Sequence, residues 1–120
     1  MNIPSSLKIG AHTYKVVCPY KFIDRGDITG QHDSAMLEIR IDNKDSWSHE
    51  IKPDSRVRQT LMHEILHAID SAAGLNELNN GTKESERIVD AISEGLCQVF
   101  NDNNELLELF HKKALRKGSL

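Results

Sequence analysis

The segment LMHEILHAID, residues 61–70, belongs to a pattern that predicts a long helix and decides the fold class. Apolar residues recur through this region at spacings of three and four, at Val57, Leu61, Ile65, Ala68 and Ala72. Because an α-helix has about 3.6 residues per turn, this spacing places them along one side of a helix. Asp54 or Ser55 can cap its start, and Gly74 is a natural stop at its end.

Strand patterns come before this helix. The segment SLKIGAHTYKVVCP, residues 6–19, predicts two short strands joined by a tight turn at Gly10. AMLEIRID, residues 35–42, alternates so that Leu37, Ile39 and Ile41 share one side. That alternation predicts a strand with one buried face.

Helical patterns come after it. Thr82 can cap a second helix, for which we expect an apolar side made of Ile88, Ile92, Leu96 and Val99. ELLELFHKKALRK, residues 105–117, predicts a third helix. Strands first and helices after predict an α+β fold, in which a small, antiparallel-rich twisted sheet packs against the helices. We expect one domain over residues 1–120, strand-rich over 1–45 and helical over 54–117, because a chain of this length supports one core.

Charge and composition narrow the choice of partners and compartment. The net charge is -3 and the isoelectric point is about 6.0, which predicts neither a nucleic-acid nor a membrane partner. The first fifteen residues lack the apolar core of a signal peptide, and no apolar run approaches the about 18 residues of a membrane span. We therefore expect a cytoplasmic protein.

His63 and His67 lie four residues apart on the predicted helix, and Glu64 directly follows the first. Residues four apart share a face, so both imidazoles can reach one ion at the about 2.0–2.1 Å that zinc requires. Glu64 points about 100° away around the helix axis, where it can reach a water molecule on that ion. This HExxH pattern predicts two zinc ligands and a general base. The alternative is a helix whose two histidines need separate hydrogen-bond partners.

A catalytic zinc site generally has three protein ligands. Asp70 is the nearest further acid, but on an unbroken helix it lies about 10 Å along the axis from His63. Glu86, on the second helix, is the better candidate for the third ligand. Asp90, one turn later, can accept a hydrogen bond from the ring of a histidine ligand. The alternative is a solvated acidic face, made of Glu84, Glu86, Asp90 and Glu94.

HEILH, residues 63–67, followed by ERIVD, residues 86–90, resembles the gluzincin arrangement of HExxH plus ExxxD. Three further features narrow the set of similar families. They are the short chain, the segment QTLMHEILHAID at residues 59–70, and the preceding segment GQHDSAMLEIRID at residues 30–42. Together they resemble the small zincin-like metallopeptidases of bacteria, phages and prophages that are related to the ImmA/IrrE family. The resemblance covers roughly residues 28–100.

The resemblance implies a minimal zincin fold, in which a small twisted sheet lies beside the active-site helix and the second helix delivers a glutamate. It implies zinc ligation by His63, His67 and Glu86, with Asp90 hydrogen-bonded outside the ligand set. The implied activity is endopeptidase cleavage of a peptide or protein, such as a regulatory repressor, with Glu64 as general base.

The resemblance also implies two features of the cleft. The strand over residues 37–42 would be the edge beside it, where an extended peptide adds as a further strand. Larger members of the clan use an additional histidine or tyrosine to stabilise the oxyanion. His32, in a turn before this strand, is the favoured candidate here; the others are His49, His111 and Tyr20.

Two further functions stay open at the level of sequence. The chain could be a non-catalytic zincin-like module that keeps a metal and acts by binding a protein partner. Glu64 argues against this, because a purely structural zinc site has no use for a base. It could also be a metal hydrolase acting on a non-peptide bond. Zinc is the expected cofactor, although manganese, iron or nickel can occupy a His/His/carboxylate site.

Overall fold

The computed structural model describes residues 2–23 and 28–111. These contain the strands β1 (Ser6–Ile9), β2 (His12–Val17), β3 (Gly30–Asp33) and β4 (Glu38–Ile41). The helices α1 (Asp54–Ala72), α2 (Lys83–Asp102) and α3 (Asn104–Phe110) follow. The predicted α+β class, with a small sheet packed against helices, is confirmed. No helix in the described ranges has the length and apolar character needed to cross a membrane.

The four strands form one mixed sheet in the order β1-β2-β4-β3. β1 and β2 form the predicted hairpin, and Gly10 adopts the positive φ of 60° that its tight turn requires. β2 and β4 are parallel, whereas β4 and β3 are antiparallel. Two of the three pairings are thus antiparallel.

The strand predicted over residues 37–42 is not the edge of the sheet, so that expectation is wrong. β4 lies between β2 and β3, and β3 is the edge strand beside α1. Ile39 and Ile41 on β4 are both completely buried, which suits an inner strand. β3 has the sequence GQHD, which contains no apolar side chain and therefore gives no strand signal.

The core lies between the sheet and α1. Tyr14 from β2 and both isoleucines of β4 pack there against Val57 and Ala68 of α1. The predicted apolar side of the first helix therefore faces the sheet, although Ala72 at its end is exposed. α1 begins after Pro53 without a side-chain cap, so neither Asp54 nor Ser55 caps it. Gly74, at a φ of 72°, follows the helix as predicted.

α2 packs against α1 through a face that differs from the predicted one. Its buried residues are Ser85, Val89 and Ser93, which recur every four positions. Ile88 and Ile92 are 36% and 42% exposed, so the predicted apolar side is rotated by about one residue. Two serines at the contact let the helices approach closely, since their side chains are small. Thr82 caps α2 as predicted, accepting a hydrogen bond from the Ser85 N–H.

The end of the chain is described only in part. α3 begins at Asn104 and ends at Phe110, so the start of the predicted third helix is observed. The remainder of that predicted segment, residues 112–117, lies outside the described residues.

Candidate metal centre

The side chains of His63 and His67 meet Glu86 where α2 crosses α1. The Nε2 atoms of the two histidines are 3.2 Å apart. The Glu86 carboxylate reaches both, with Oε2 at 3.0 Å from His63 Nε2 and Oε1 at 3.1 Å from His67 Nε2. These three residues form a group that could hold a metal ion.

The distances between the two nitrogens and the Glu86 carboxylate are in the range for a small four-coordinate ion. Ligands held tetrahedrally at about 2.0–2.1 Å from a metal are about 3.3 Å apart. The two Nε2 atoms are 3.2 Å apart, close to that edge length. Each nitrogen is also 3.0 or 3.1 Å from a different oxygen of the Glu86 carboxylate, and either oxygen could supply the third donor. One vertex of such a tetrahedron would be left for a ligand that does not come from the protein.

Outer hydrogen bonds set the tautomer of each histidine. Asp90 Oδ1 is 2.8 Å from His63 Nδ1, so that nitrogen carries the proton and donates a hydrogen bond to the carboxylate. Asn79 Oδ1 is 2.6 Å from His67 Nδ1. Asn79 Nδ2 donates to the His67 carbonyl oxygen at 3.1 Å, which fixes the orientation of the amide and makes Oδ1 the acceptor. In its neutral form, each ring would therefore present an unprotonated Nε2.

This tautomer pattern has an electrostatic consequence. When both rings are neutral, two nitrogen lone pairs and a carboxylate face one another at hydrogen-bond distance, and lone pairs in that arrangement repel one another. A cation between them converts the repulsion into attraction, since all three groups are metal ligands. The hydrogen-bonding pattern and the distances between the donor atoms thus both favour a bound cation.

The predicted and alternative acids occupy different places. Glu86 lies in the donor group and Asp90 is hydrogen-bonded outside it, which is the geometry expected for each. Asp70 lies outside the group found among the described residues. Its carboxylate accepts the N–H groups of Glu77 at 3.1 Å and Leu78 at 2.9 Å. Asp70 therefore supports the connection between α1 and α2.

Asn79 is a site residue that sequence reasoning missed. It lies twelve residues after His67, in a turn-rich connection with no periodic pattern that would fix its direction. Its only sequence signal is its chemistry, since an amide oxygen is a common acceptor for a ligand histidine.

Glu64 is buried beside the donor group, with 6% of its surface exposed. It lines a cavity that also contains His67 and Glu86. Burial, and to a smaller extent the negative charges of Glu86 and Asp90, raise the pKa of Glu64 to about 8. A cation on the neighbouring ligands would lower this pKa, because positive charge favours the carboxylate.

Gly30 on the edge strand lies directly against Glu64. A Cβ atom at this position would be 2.8 Å from Glu64 Oε2 and 2.8 Å from Thr60 Cγ2, closer than van der Waals contact allows. Glycine therefore permits β3 to pack against the part of α1 that carries the candidate base. It also buries Glu64 under the strand.

The donor group lies between two open cavities. One, of about 470 Å³, contains His63, Glu86 and Asp90 and extends along α1 to Arg56. The other, of about 360 Å³, contains His32, Glu64 and Asn79. Glu86, with a side chain 49% exposed, borders both. The centre is therefore accessible from both sides.

His32 is the oxyanion candidate nearest the donor group. It shares a strand face with Gly30 because alternate residues of a strand point the same way. Its Nε2 is 3.0 Å from the Tyr14 hydroxyl. Burial and then the charge of His67 lower the pKa of His32, against a smaller opposing effect of Asp33, so the ring is neutral near pH 7.

The other oxyanion candidates lie elsewhere. Tyr20 and His49 line a separate cavity, and His111 is exposed after α3.

Comparisons of the chain with protein-family models, with curated protein sequences and with solved structures gave no match.

We expect Glu64 to make the metal-free protein less stable as the pH rises. Its pKa is about 8 in the folded protein, against 4.5 ordinarily, so folding favours the protonated form. The associated stability is complete below about pH 4.5 and is lost as the pH rises through about 8. The glutamine of the Glu64→Gln variant resembles protonated Glu64. The variant should therefore be as stable as the wild type near pH 4.5 and increasingly more stable than it up to pH 8. Melting temperatures in EDTA measure this, and a gap independent of pH would contradict it.

We expect Gly30→Ala to destabilise the protein by about 1–3 kcal/mol, because the new methyl group overpacks the contact with α1. Thr60→Ser removes the Cγ2 atom from that contact and should restore part of the loss in the double variant. Gly95→Ala is the matched control, since nothing lies within 4 Å of its Cβ position and alanine favours helix. Urea unfolding of all four variants measures the effect. Equal stability of Gly30→Ala and wild type would contradict the close approach.

Proposed function

We propose that this protein is a zinc-dependent endopeptidase. The observation that carries the proposal is the convergence of His63, His67 and Glu86 within ligand distance of one another, with buried Glu64 in the adjoining cavity. A structural zinc site is normally closed by four protein ligands, whereas three ligands and one free position are typical of catalytic sites.

Zinc is the metal that the donor set favours. Two imidazoles and one carboxylate are a ligand set that zinc prefers in catalytic sites. Manganese, iron and nickel also accept these ligands, but manganese and non-haem iron sites usually recruit more oxygen donors or a larger coordination number. A zinc ion held there supplies Lewis-acid chemistry, polarising the scissile carbonyl and activating water.

The residues of the chain have separate roles in the proposed reaction. Glu64 accepts a proton from the attacking water and transfers it to the leaving amine, as a general base and then a general acid. Asp90 and Asn79 hold the two histidines in their ligand tautomers. His32, which lines the same cavity as Glu64, donates a hydrogen bond to the oxyanion from its second ring nitrogen while Tyr14 orients the ring.

A peptide substrate is supported by the edge strand. Among the described residues, β3 pairs with β4 on one side only, and its other edge offers backbone hydrogen-bonding groups. An extended peptide can add there as a fifth strand, which would bring its backbone beside Glu64. The resemblance of HEILH and ERIVD to the ImmA/IrrE-related peptidases supports the same substrate class, and a regulatory protein as its source.

The test separates ligation from catalysis. We expect Glu64→Gln to retain stoichiometric zinc and to lose at least about 100-fold in peptide cleavage, because only the base is removed. Glu86→Ala should lose most of its zinc, because one of three ligands is removed. Glu84→Ala is the matched control, since Glu84 lies on the same helix and pairs with Arg87 in solvent. Zinc content by mass spectrometry and cleavage of a broad peptide library provide both readouts.

Each alternative has its own result. Full zinc content in the wild type, together with no cleavage of any library peptide by the wild type or the variants, would support the non-catalytic binding module. Unchanged cleavage by Glu64→Gln would remove the base assignment. Wild type that binds no zinc would contradict the metal centre itself.

A further inference from the structure

Asp70 is a buried carboxylate that the proposed reaction does not use. It is 4% exposed and forms no ion pair within the described residues. Burying a carboxylate is costly unless hydrogen bonds satisfy it. Two backbone N–H groups do so, from Glu77 at 3.1 Å and Leu78 at 2.9 Å. The Asp70 carbonyl oxygen also accepts the N–H of Leu75 at 3.2 Å. One residue of α1 therefore anchors most of the connection to α2.

The next residue of that connection contacts a metal ligand. Asn79 directly follows Leu78, so fixing the backbone of Leu78 fixes the starting point of the Asn79 side chain. That side chain makes two hydrogen bonds to His67, one to its carbonyl oxygen and one to its ring. His67 and Asp70 lie three residues apart on α1, and both hold the same short stretch of the connection.

The two ligand histidines depend on different kinds of outer acceptor. His63 donates to Asp90, a charged side chain on a helix. His67 donates to Asn79, a neutral amide outside regular secondary structure. A neutral acceptor attracts the ring N–H less strongly than a carboxylate does, so its position must be fixed by the backbone that carries it.

We propose that Asp70 is a positioning residue of the metal centre, acting through the Glu77 and Leu78 amides to place Asn79 against His67. The hydrogen bonds of Asp70 order the connection, the ordered connection places the Asn79 amide, and that amide keeps the proton of His67 on Nδ1. His67 Nε2 then stays free to bind the metal. The inference rests on the metal-binding part of the proposed function and not on peptide cleavage.

The experiment measures zinc affinity directly, by competition with a chromophoric chelator. Asn79→Ala should weaken zinc binding by about 10–100-fold, the usual effect of removing an outer partner of a ligand histidine. Asp70→Asn replaces one acceptor oxygen with an NH₂ group and should weaken it about tenfold. Because both act on His67 by the same route, the Asp70→Asn/Asn79→Ala double variant should bind zinc about as weakly as Asn79→Ala alone. Additive losses in the double variant would overturn the proposal.

Asp45→Asn is the matched control. Asp45 also accepts two backbone N–H groups, from Trp47 at 3.0 Å and Ser48 at 2.8 Å, but in a loop without metal ligands. It should leave zinc affinity unchanged. The melting temperature of each metal-free variant shows how much stability is lost. If Asp70→Asn lowers only the melting temperature and keeps wild-type zinc affinity, the role of Asp70 is structural and the proposal fails.

A measurement on the wild type covers the case in which Asp70→Asn does not fold. If the ordered connection favours zinc binding, then by thermodynamic reciprocity zinc must favour the ordered connection. Hydrogen exchange at the Glu77 and Leu78 amides should therefore slow when zinc is added to the metal-free protein. Exchange at the Trp47 and Ser48 amides should not change. Equal slowing in both loops, or none at Glu77 and Leu78, would contradict the proposal.

The outcomes keep this inference separate from the proposed peptidase activity. Zinc affinity that depends on Asp70 in a protein that cleaves no peptide would support the positioning role and contradict the peptidase. Peptide cleavage by a protein whose zinc affinity does not depend on Asp70 would support the peptidase and contradict the positioning role. A wild type that does not bind zinc would overturn both.

Discussion

The convergence of His63, His67 and Glu86 is the constraint on which the arrangement of the helices depends. Two of these residues share a face of α1, but the third belongs to α2, so the helices must lie close together at this point. The contact face of α2 meets that requirement with Ser85 and Ser93, whose side chains occupy little space between the helix axes. Packing and ligation therefore act on the same pair of helices.

The sequence predicts the parts of this centre that lie on regular helices. Helix geometry predicts that His63 and His67 share one face and that Glu86 and Asp90 share another. The need for a third ligand then links the two pairs. The sequence does not predict Asn79, because a turn-rich connection has no period from which a direction can be read. The edge strand was missed for a similar reason: β3 is held by backbone hydrogen bonds and by the space at Gly30, not by apolar side chains. The predicted contact face of α2 was wrong by about one residue, because Ser85, Val89 and Ser93 fill it and the isoleucines do not.

Glu64 shows how packing and electrostatics oppose each other beside the donor group. β3 covers it from one side, and the carboxylates of Glu86 and Asp90 act on it from the other. Both effects favour the protonated form, whereas a general base must be ionised. A cation bound to the neighbouring donor atoms would favour the ionised form, because its charge is opposite to that of Glu86 and Asp90. The ionisation of the candidate base is therefore coupled to occupancy of the three ligands.

That coupling extends to the fold through the α1–α2 connection. The connection buries no apolar cluster among the described residues, and the polar contacts of Asp70 and Asn79 tie it to α1. One of those contacts ends on His67, so a metal that holds the ring also holds the connection. A metal bound to His67 would therefore stabilise the connection through Asn79 as well as the contact between the two helices.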